Sequence, residues 1–413
     1  MTEKALSSPI EREARVHLPV YARQPLVITR GEGCWVWDDA GNRYLDLVAG
    51  IAVNVLGHAH PAVADALAAQ ARTLLTTSNL YYTLPQLELA EALLARSPFD
   101  RAFFTNSGTE ANEAAIKLAR RRGHERGAFE IVSLVGSFHG RTFGSLAATG
   151  QPKYRAPFAP LPEGFLHVPM NDVAALRAAV SDRTAAILLE PIQGESGIHP
   201  LTDEFLVAAR EAADAHDSLL ILDEIQTGIG RTGTFFAFEA TSIVPDVVTL
   251  AKGLGGGVPI GAMLVRETAS AFQAGDHGTT LGGNPLTAAA ALATLRILDE
   301  QDVMGNARTM GSRMSDALGE LVAEGLATQV RGRGLMIGLE TAAPVAREAV
   351  TRARDDHGLL VNATGETTLR IVPPLIITAA EVDEAVRRLH GALDATRGDP
   401  GARASTGPLR SPS

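Results

Sequence analysis

Short apolar runs alternate with longer alanine- and leucine-rich stretches through the middle of this chain, and few architectures accommodate that rhythm. Residues 102–104, 131–134, 187–189, 219–222 and 247–250 are almost wholly apolar, as the buried strands of a largely parallel sheet must be. Between the first two, Ala111, Ala115, Leu118 and Ala119 recur at helical spacing and form one apolar stripe. Residues 284–298 make a second alanine-dense helical stretch, whose small side chains allow close packing. The alternation predicts an α/β fold built on a doubly wound sheet. From about residue 302 the pattern turns helical and then strand-like, in QVRGRGLMIGLE (329–340) and TLRIVPP (368–374), which predicts a smaller α/β domain. The expected division is an N-terminal segment over 1–55, a large domain over 56–301 and a small C-terminal domain over 302–396. A flexible Pro/Gly/Ser-rich tail is expected over 397–413.

Composition narrows the class. With 413 residues, 46% of them hydrophobic, the chain can bury more than one core. No stretch approaches about 18 uninterrupted apolar residues, so no membrane span is expected. Lys and Arg number 37 against 47 Asp and Glu, a net charge of -10, which disfavours nucleic acid and anionic lipid as partners. One cysteine, Cys34, leaves no intramolecular disulfide and no multi-cysteine metal site. The opening MTEKALSSPIEREAR has no apolar h-region, so a cytoplasmic location is expected. No repeat of 20–50 residues is visible by eye.

Unusual polar residues stand at the ends of the predicted strands, where open α/β sheets bind ligands. Thr105-Asn106-Ser107-Gly108-Thr109-Glu110 leads from one strand into a helix. Its small residues and the helix N-terminus suit an anion such as phosphate, although a plain serine or threonine cap accounts for the same letters. Asp223 follows four apolar residues, an expensive place for a carboxylate unless it meets a cation or several donors. Taken alone, it reads equally well as a cap or a loop salt bridge. Lys252 follows another strand and precedes Gly253-Leu254-Gly255-Gly256-Gly257, where a solvated lysine is the simpler reading. Phe138, beside His139-Gly140-Arg141, is either a ring clamp or a core phenylalanine. The combination of phosphate cradle, buried carboxylate and lysine matches what pyridoxal phosphate requires. Its ring nitrogen needs a carboxylate, its aldehyde a lysine amine, and its phosphate fixed donors.

Eight stretches, in one order along nearly the whole chain, resemble the class III pyridoxal-phosphate-dependent aminotransferases. They are FFTNSGTEANEAAIKLAR (103–120), SFHGRT (137–142), EPIQGESGI (190–198), LDEIQTGIGRTG (222–233), LAKGLGGGVPIGA (250–262), HGTTLGGNP (277–285), VRGRGLMIGLE (330–340) and LRIVPPLIIT (369–378). Within that family the likeness is strongest to the acetylornithine branch. The resemblance implies the type I pyridoxal-phosphate fold, with a mainly parallel seven-stranded sheet in the large domain and a homodimer sharing its active sites.

Carried over residue by residue, the resemblance makes Lys252 the Schiff-base lysine and Asp223 the partner of the ring nitrogen. Ser107, Gly108 and Thr109 would hold the phosphate, joined by Thr280 of the other subunit. Phe138 would stack on the ring and Gln226 would bond near its hydroxyl. Arg141 would take a substrate carboxylate, with Thr279 nearby, and Glu195 and Arg370 would form a pair that opens and closes with the substrate. Tyr21 would belong to an N-terminal segment closing over the site. The implied reaction is transamination of N2-acetyl-L-ornithine with 2-oxoglutarate, giving N-acetyl-L-glutamate 5-semialdehyde and L-glutamate in arginine biosynthesis. Transaminases for ornithine, succinylornithine, succinyldiaminopimelate or 4-aminobutyrate share the cofactor residues, and a racemase, aminomutase or decarboxylase shares the fold. Ser196, Thr279 and Leu281 stand where the family more often has Gly, Ser and Phe, which touches the substrate pocket rather than the cofactor site. His58-Ala59-His60 has a ligand spacing but no third ligand in sequence, so no metal is expected.

Overall fold

The structure, a computed structural model, describes residues 8–397. Residues 1–7 of the N-terminal segment, and all of the expected tail except Arg397, lie outside the described residues.

Seven strands form the central sheet: Arg101–Thr105, Glu130–Leu134, Phe165–Val168, Thr184–Leu189, Leu219–Asp223, Val247–Leu250 and Gly261–Val265. Across the sheet their order is 101–105, 261–265, 247–250, 219–223, 184–189, 130–134, 165–168. Neighbours are parallel except the two pairs made by Gly261–Val265. This is the mainly parallel sheet of the type I fold.

The apolar runs are buried because both faces of the sheet are covered. Successive strand side chains point to opposite faces. Leu219 and Ile221 accordingly join one core with Ala115, Leu118 and Ala119 of the helix Gly108–Gly123. Leu220 and Leu222 join the other, larger core. Full burial of such a side chain stabilises the fold by about 1.5–3 kcal/mol, so a strand apolar on both faces is anchored twice. The second alanine-dense stretch is the helix Pro285–Glu300, capped by Asn284, whose Oδ1 accepts from Thr287 N at 3.1 Å.

After the helix Val303–Ala323, strands Ala327–Arg333, Met336–Thr341, Thr368–Ile371 and Asn362–Ala363 form an antiparallel sheet in that spatial order. Its register sets Arg370 opposite Gly338. Near the N-terminus, Ile28–Glu32, Trp35–Asp38 and Arg43–Asp46 form a meander. Leu359–Leu360 adds to it in parallel beside Arg43–Asp46, tying the beginning of the chain to its final third.

Ala49, Gly50, Ile51 and Ala52 follow with φ of 49°, 65°, 62° and 63°. Each left-handed residue other than glycine costs roughly 1–2 kcal/mol, so surrounding packing must hold this turn. Ala52 is buried with Ile192, Ile198, Met336 and Val372, and the turn delivers Val53 to the wall of the main cavity.

Candidate active site

A cavity of about 450 Å³ opens at the carboxyl edge of the central sheet. Five strand ends converge there: the loop after Thr105, the loop after Leu134, Glu190 just past Leu189, Asp223, and Lys252 just past Leu250.

Ser107 caps the helix Gly108–Gly123 through its own hydroxyl, which accepts from Glu110 N at 3.3 Å. The cap reading is met, and it leaves room for an anion, because the first amides of the helix, at Gly108 and Thr109, are directed beyond its end. Gly108 sits tightly against Ile225, whose side chain a Cβ there would meet at 2.8 Å. The Thr109 hydroxyl lies 2.7 Å from that of Thr142.

Asp223 is 4% exposed, and its oxygens meet the several donors that such a site demands. Oδ2 accepts from Asn112 Nδ2 at 2.7 Å and pairs with His139 Nδ1 at 2.8 Å, while Oδ1 accepts from Ile225 N at 3.1 Å. Asn112 is itself oriented by Thr249, whose hydroxyl donates to its Oδ1 at 2.7 Å. Lys252 has φ +34°, a left-handed backbone of the kind that clusters at functional sites. Burial holds its pKa below the ordinary lysine range, against the attraction of Glu195. Among the described residues its amine makes no hydrogen bond or ion pair within contact distance.

Phe138 forms one wall, edge-on to Tyr154 with ring centroids 5.8 Å apart. Arg141 lies exposed at the rim, its guanidinium 4.0 Å from the Tyr154 centroid and 5.6 Å from that of Phe138. Opposite, Arg370 is 1% exposed and its Nη1 meets Glu195 Oε1 at 2.5 Å. The same nitrogen donates to Gly194 O at 3.1 Å and reaches Gln226 Oε1 at 3.5 Å, and Nε reaches Asn362 Oδ1 at 3.3 Å. Burial opposes the charge on Glu195, but Arg370, Lys252 and the hydrogen bonds from Arg370 and Gln226 outweigh it, so its pKa is lowered.

Of the residues singled out in the sequence, Ser107, Gly108, Thr109, Phe138, Arg141, Glu195, Asp223, Gln226 and Lys252 all line this cavity, and Arg370 joins it through Glu195. Thr279 stands one residue back, accepting from Asn106 Nδ2 at 3.0 Å. Thr280 lines a separate surface crevice with Asn79 and Gln86. Tyr21 is 71% exposed, beside Arg23 and away from the cavity lining. Sequence reasoning passed over Asn112, His139 and Glu190. Glu190 offered the same signal as Asp223, a carboxylate ending an apolar run. Asn112 is a polar residue on the otherwise apolar buried face of its helix. Among the described residues no cluster of three or more His, Cys, Asp or Glu is placed to hold a metal.

The donor set fits a phosphorylated pyridine aldehyde. Helix amides and hydroxyls stand at one end, a buried carboxylate behind, an aromatic side chain on one wall, and an amine of lowered pKa within reach of the same space. Comparison with known proteins agrees. The family model for class-III aminotransferases matches residues 19–393. The acetylornithine aminotransferase of Gloeobacter violaceus is 53% identical over 90% of this chain and 94% of its own. The solved N-acetylornithine aminotransferase of Stenotrophomonas maltophilia superposes with a TM-score of 0.81 at 40% identity, covering 94% of this chain and 99% of that one. The ornithine aminotransferase of Toxoplasma gondii, in a structure with partial occupancy of PLP at its active site, gives 0.90 at 31% identity, covering 94% of each chain.

Proposed function

This chain belongs to the class-III aminotransferase family, and we propose that it moves the δ-amino group of N2-acetyl-L-ornithine onto 2-oxoglutarate with pyridoxal phosphate as cofactor. The products are N-acetyl-L-glutamate 5-semialdehyde and L-glutamate, and the reaction serves arginine biosynthesis in the cytoplasm. The bound cofactor supplies an electron sink for the carbanion left when a C–H bond breaks.

The chain's residues do the rest. Ser107, Gly108 and Thr109 hold the phosphate, Phe138 packs on the ring and Gln226 bonds near its hydroxyl. Asp223, kept as an acceptor by Asn112, His139 and the amide of Ile225, holds a proton at the ring nitrogen. Lys252 Nζ, whose pKa burial lowers, accepts the proton from the substrate carbon and returns it. Arg141 binds the α-carboxylate of acetylornithine and the distal carboxylate of glutamate, and Thr279 supports the substrate side through Asn106.

The observation that carries this reading is the Glu195–Arg370 pair, closed at 2.5 Å beside Lys252. The δ-carbon of acetylornithine bears no carboxylate, whereas the reacting carbon of glutamate does. A closed pair suits the first and an open one the second, when Arg370 can grip the α-carboxylate bidentately. The same proposal includes a homodimer. Leu74, Leu80, Tyr81, Tyr82, Leu84 and Leu281 are large apolar groups left exposed around the Thr280 crevice, a concentration that suits a second copy of the chain bringing Thr280 to its neighbour's phosphate. Tyr21 would close over a site in that assembly. Among the described residues no helix is long and apolar enough to cross a membrane.

A panel of amino donors tests the reading: acetylornithine, ornithine, succinylornithine and 4-aminobutyrate, each with 2-oxoglutarate and a coupled glutamate readout. Highest kcat/KM for acetylornithine is expected. Preference for another donor replaces the substrate, and turnover without 2-oxoglutarate points to a racemase or aminomutase.

A further inference from the structure

Glu190 is a buried acid of the cavity lining that this chemistry leaves without a role. It directly follows the strand Thr184–Leu189, is 5% exposed, and lines the cavity. Its two oxygens are used by two different loops. Oε1 accepts from Phe138 N at 2.8 Å, on the loop that supplies the ring wall. Oε2 accepts from Gly194 N at 3.1 Å, on the loop that carries Glu195.

Gly194 is more than a spacer. Its carbonyl accepts from Arg370 Nη1 at 3.1 Å, and a Cβ on it would meet the Gln226 amide at 2.5 Å, so this backbone is pressed between two site residues. A side chain that swings while its backbone stays fixed needs an anchor at the root of its loop. We propose that Glu190 is a positioning residue, a carboxylate tie that locks the Phe138 loop to the Gly194–Glu195 loop so that Glu195 can turn without displacing Arg370 or the ring wall. The tie is strongest with neither oxygen protonated, since a protonated carboxyl still accepts but turns one O–H toward its surroundings as a donor. Burial, helped by the Asp223 charge, pushes the Glu190 pKa up to about 7 against His139 and the two N–H donors. His139, Asp223 and Lys252 are the charged or titratable groups that face Glu190.

The proposal rests on the function read above only for its consequence, and its structural half is tested without substrate. Hydrogen–deuterium exchange of the cofactor-loaded protein, wild type against Glu190→Gln, reads the amides of residues 136–141 and 192–197. The amide side chain keeps the volume but turns a donor toward one of the two N–H groups. The segment that meets the new NH2 is expected to exchange about tenfold faster or more, the scale of losing a hydrogen bond to a charged group, and the other segment, no longer braced against it, to exchange faster by a smaller factor. The remainder of the molecule should be unchanged. If Glu190→Gln does not fold, Glu190→Asp, which withdraws the carboxylate by one methylene, is read in the same way. Unchanged exchange in both segments, or faster exchange in one alone, overturns the tie.

The functional half is a split between KM and kcat. Arg370 loses part of its placement with Gly194, so KM for 2-oxoglutarate should rise about tenfold while kcat falls less. A proportionate change in both overturns the link to Arg370. If the wild type fails the donor panel, the substrate reading falls while the exchange result still stands.

Discussion

Lys252 and Asp223 face the same space from adjacent strands, and each is held where water alone would not leave it. Lys252→Ala is expected to lower turnover by more than the ~10²–10⁴-fold typical of general acid–base groups, since the covalent role is lost as well. Cofactor should still be retained through gel filtration by the phosphate, ring-nitrogen and ring-face contacts. Absorbance of the eluted protein and its steady-state rate check both halves, and near wild-type turnover removes Lys252 from the chemistry. Asp223→Asn should slow the chemical step more than it weakens cofactor binding. The amide fills the volume but cannot hold a proton at the ring nitrogen, and its NH2 must face a donor where Oδ1 or Oδ2 now accepts. A cofactor titration set beside single-turnover rates checks this, and equal losses contradict it. In the sequence, the strand-end pattern singled out Ser107, Gly108, Thr109, Asp223, Lys252 and Phe138, while Arg141, Glu195, Gln226 and Arg370 were marked only by the family resemblance. Asn112 and His139 were marked in neither way, because their importance lies in a contact with Asp223 across 111 and 84 positions, which no local pattern announces.

Five of the seven central strands follow the apolar runs, since burial on both faces leaves a strand no polar alternative. Phe165–Val168 and Gly261–Val265 were not among those runs, the first being a half-buried edge strand. The N-terminal meander was not readable in the same way. Its edge strand Arg43–Asp46 pairs with Leu359–Leu360, and so short a piece has no periodicity of its own. In the large domain, the short turn Ala237–Ala240 is held by buried Glu224, which accepts from Ala237 N at 2.6 Å, Phe238 N at 2.9 Å and the Thr227 hydroxyl at 3.1 Å. Burial pushes its pKa up to about 7 despite those donors. A carboxyl group whose folded pKa is raised favours the fold fully below the ordinary carboxylate range, and that contribution is lost as pH rises through about 7. Glu224→Gln removes the titration. Its Tm should therefore gain on the wild type between pH 5 and 8, whatever the constant cost of the lost acceptor. Parallel Tm curves across that range contradict the shift.

At the scale of the whole molecule, the proposed second copy of the chain would cover the exposed apolar residues around Leu281 and Tyr82. Light scattering should give twice the 43.4 kDa chain mass. Leu281→Asp should weaken that assembly and lower activity per chain together, as a site completed by Thr280 of a second copy requires. A fully active monomer contradicts the shared site. The claim that joins assembly, cavity and chemistry is that one site serves two unlike substrates by opening and closing the Glu195–Arg370 pair. Single-turnover absorbance on the Glu195→Ala enzyme measures the acetylornithine and glutamate half-reactions separately. Removing Glu195 leaves the buried Arg370 unpaired, a penalty of up to about 3–5 kcal/mol that falls on the half-reaction needing the pair closed. The acetylornithine half should slow markedly and the glutamate half should be spared or faster; equal losses in both would contradict the account.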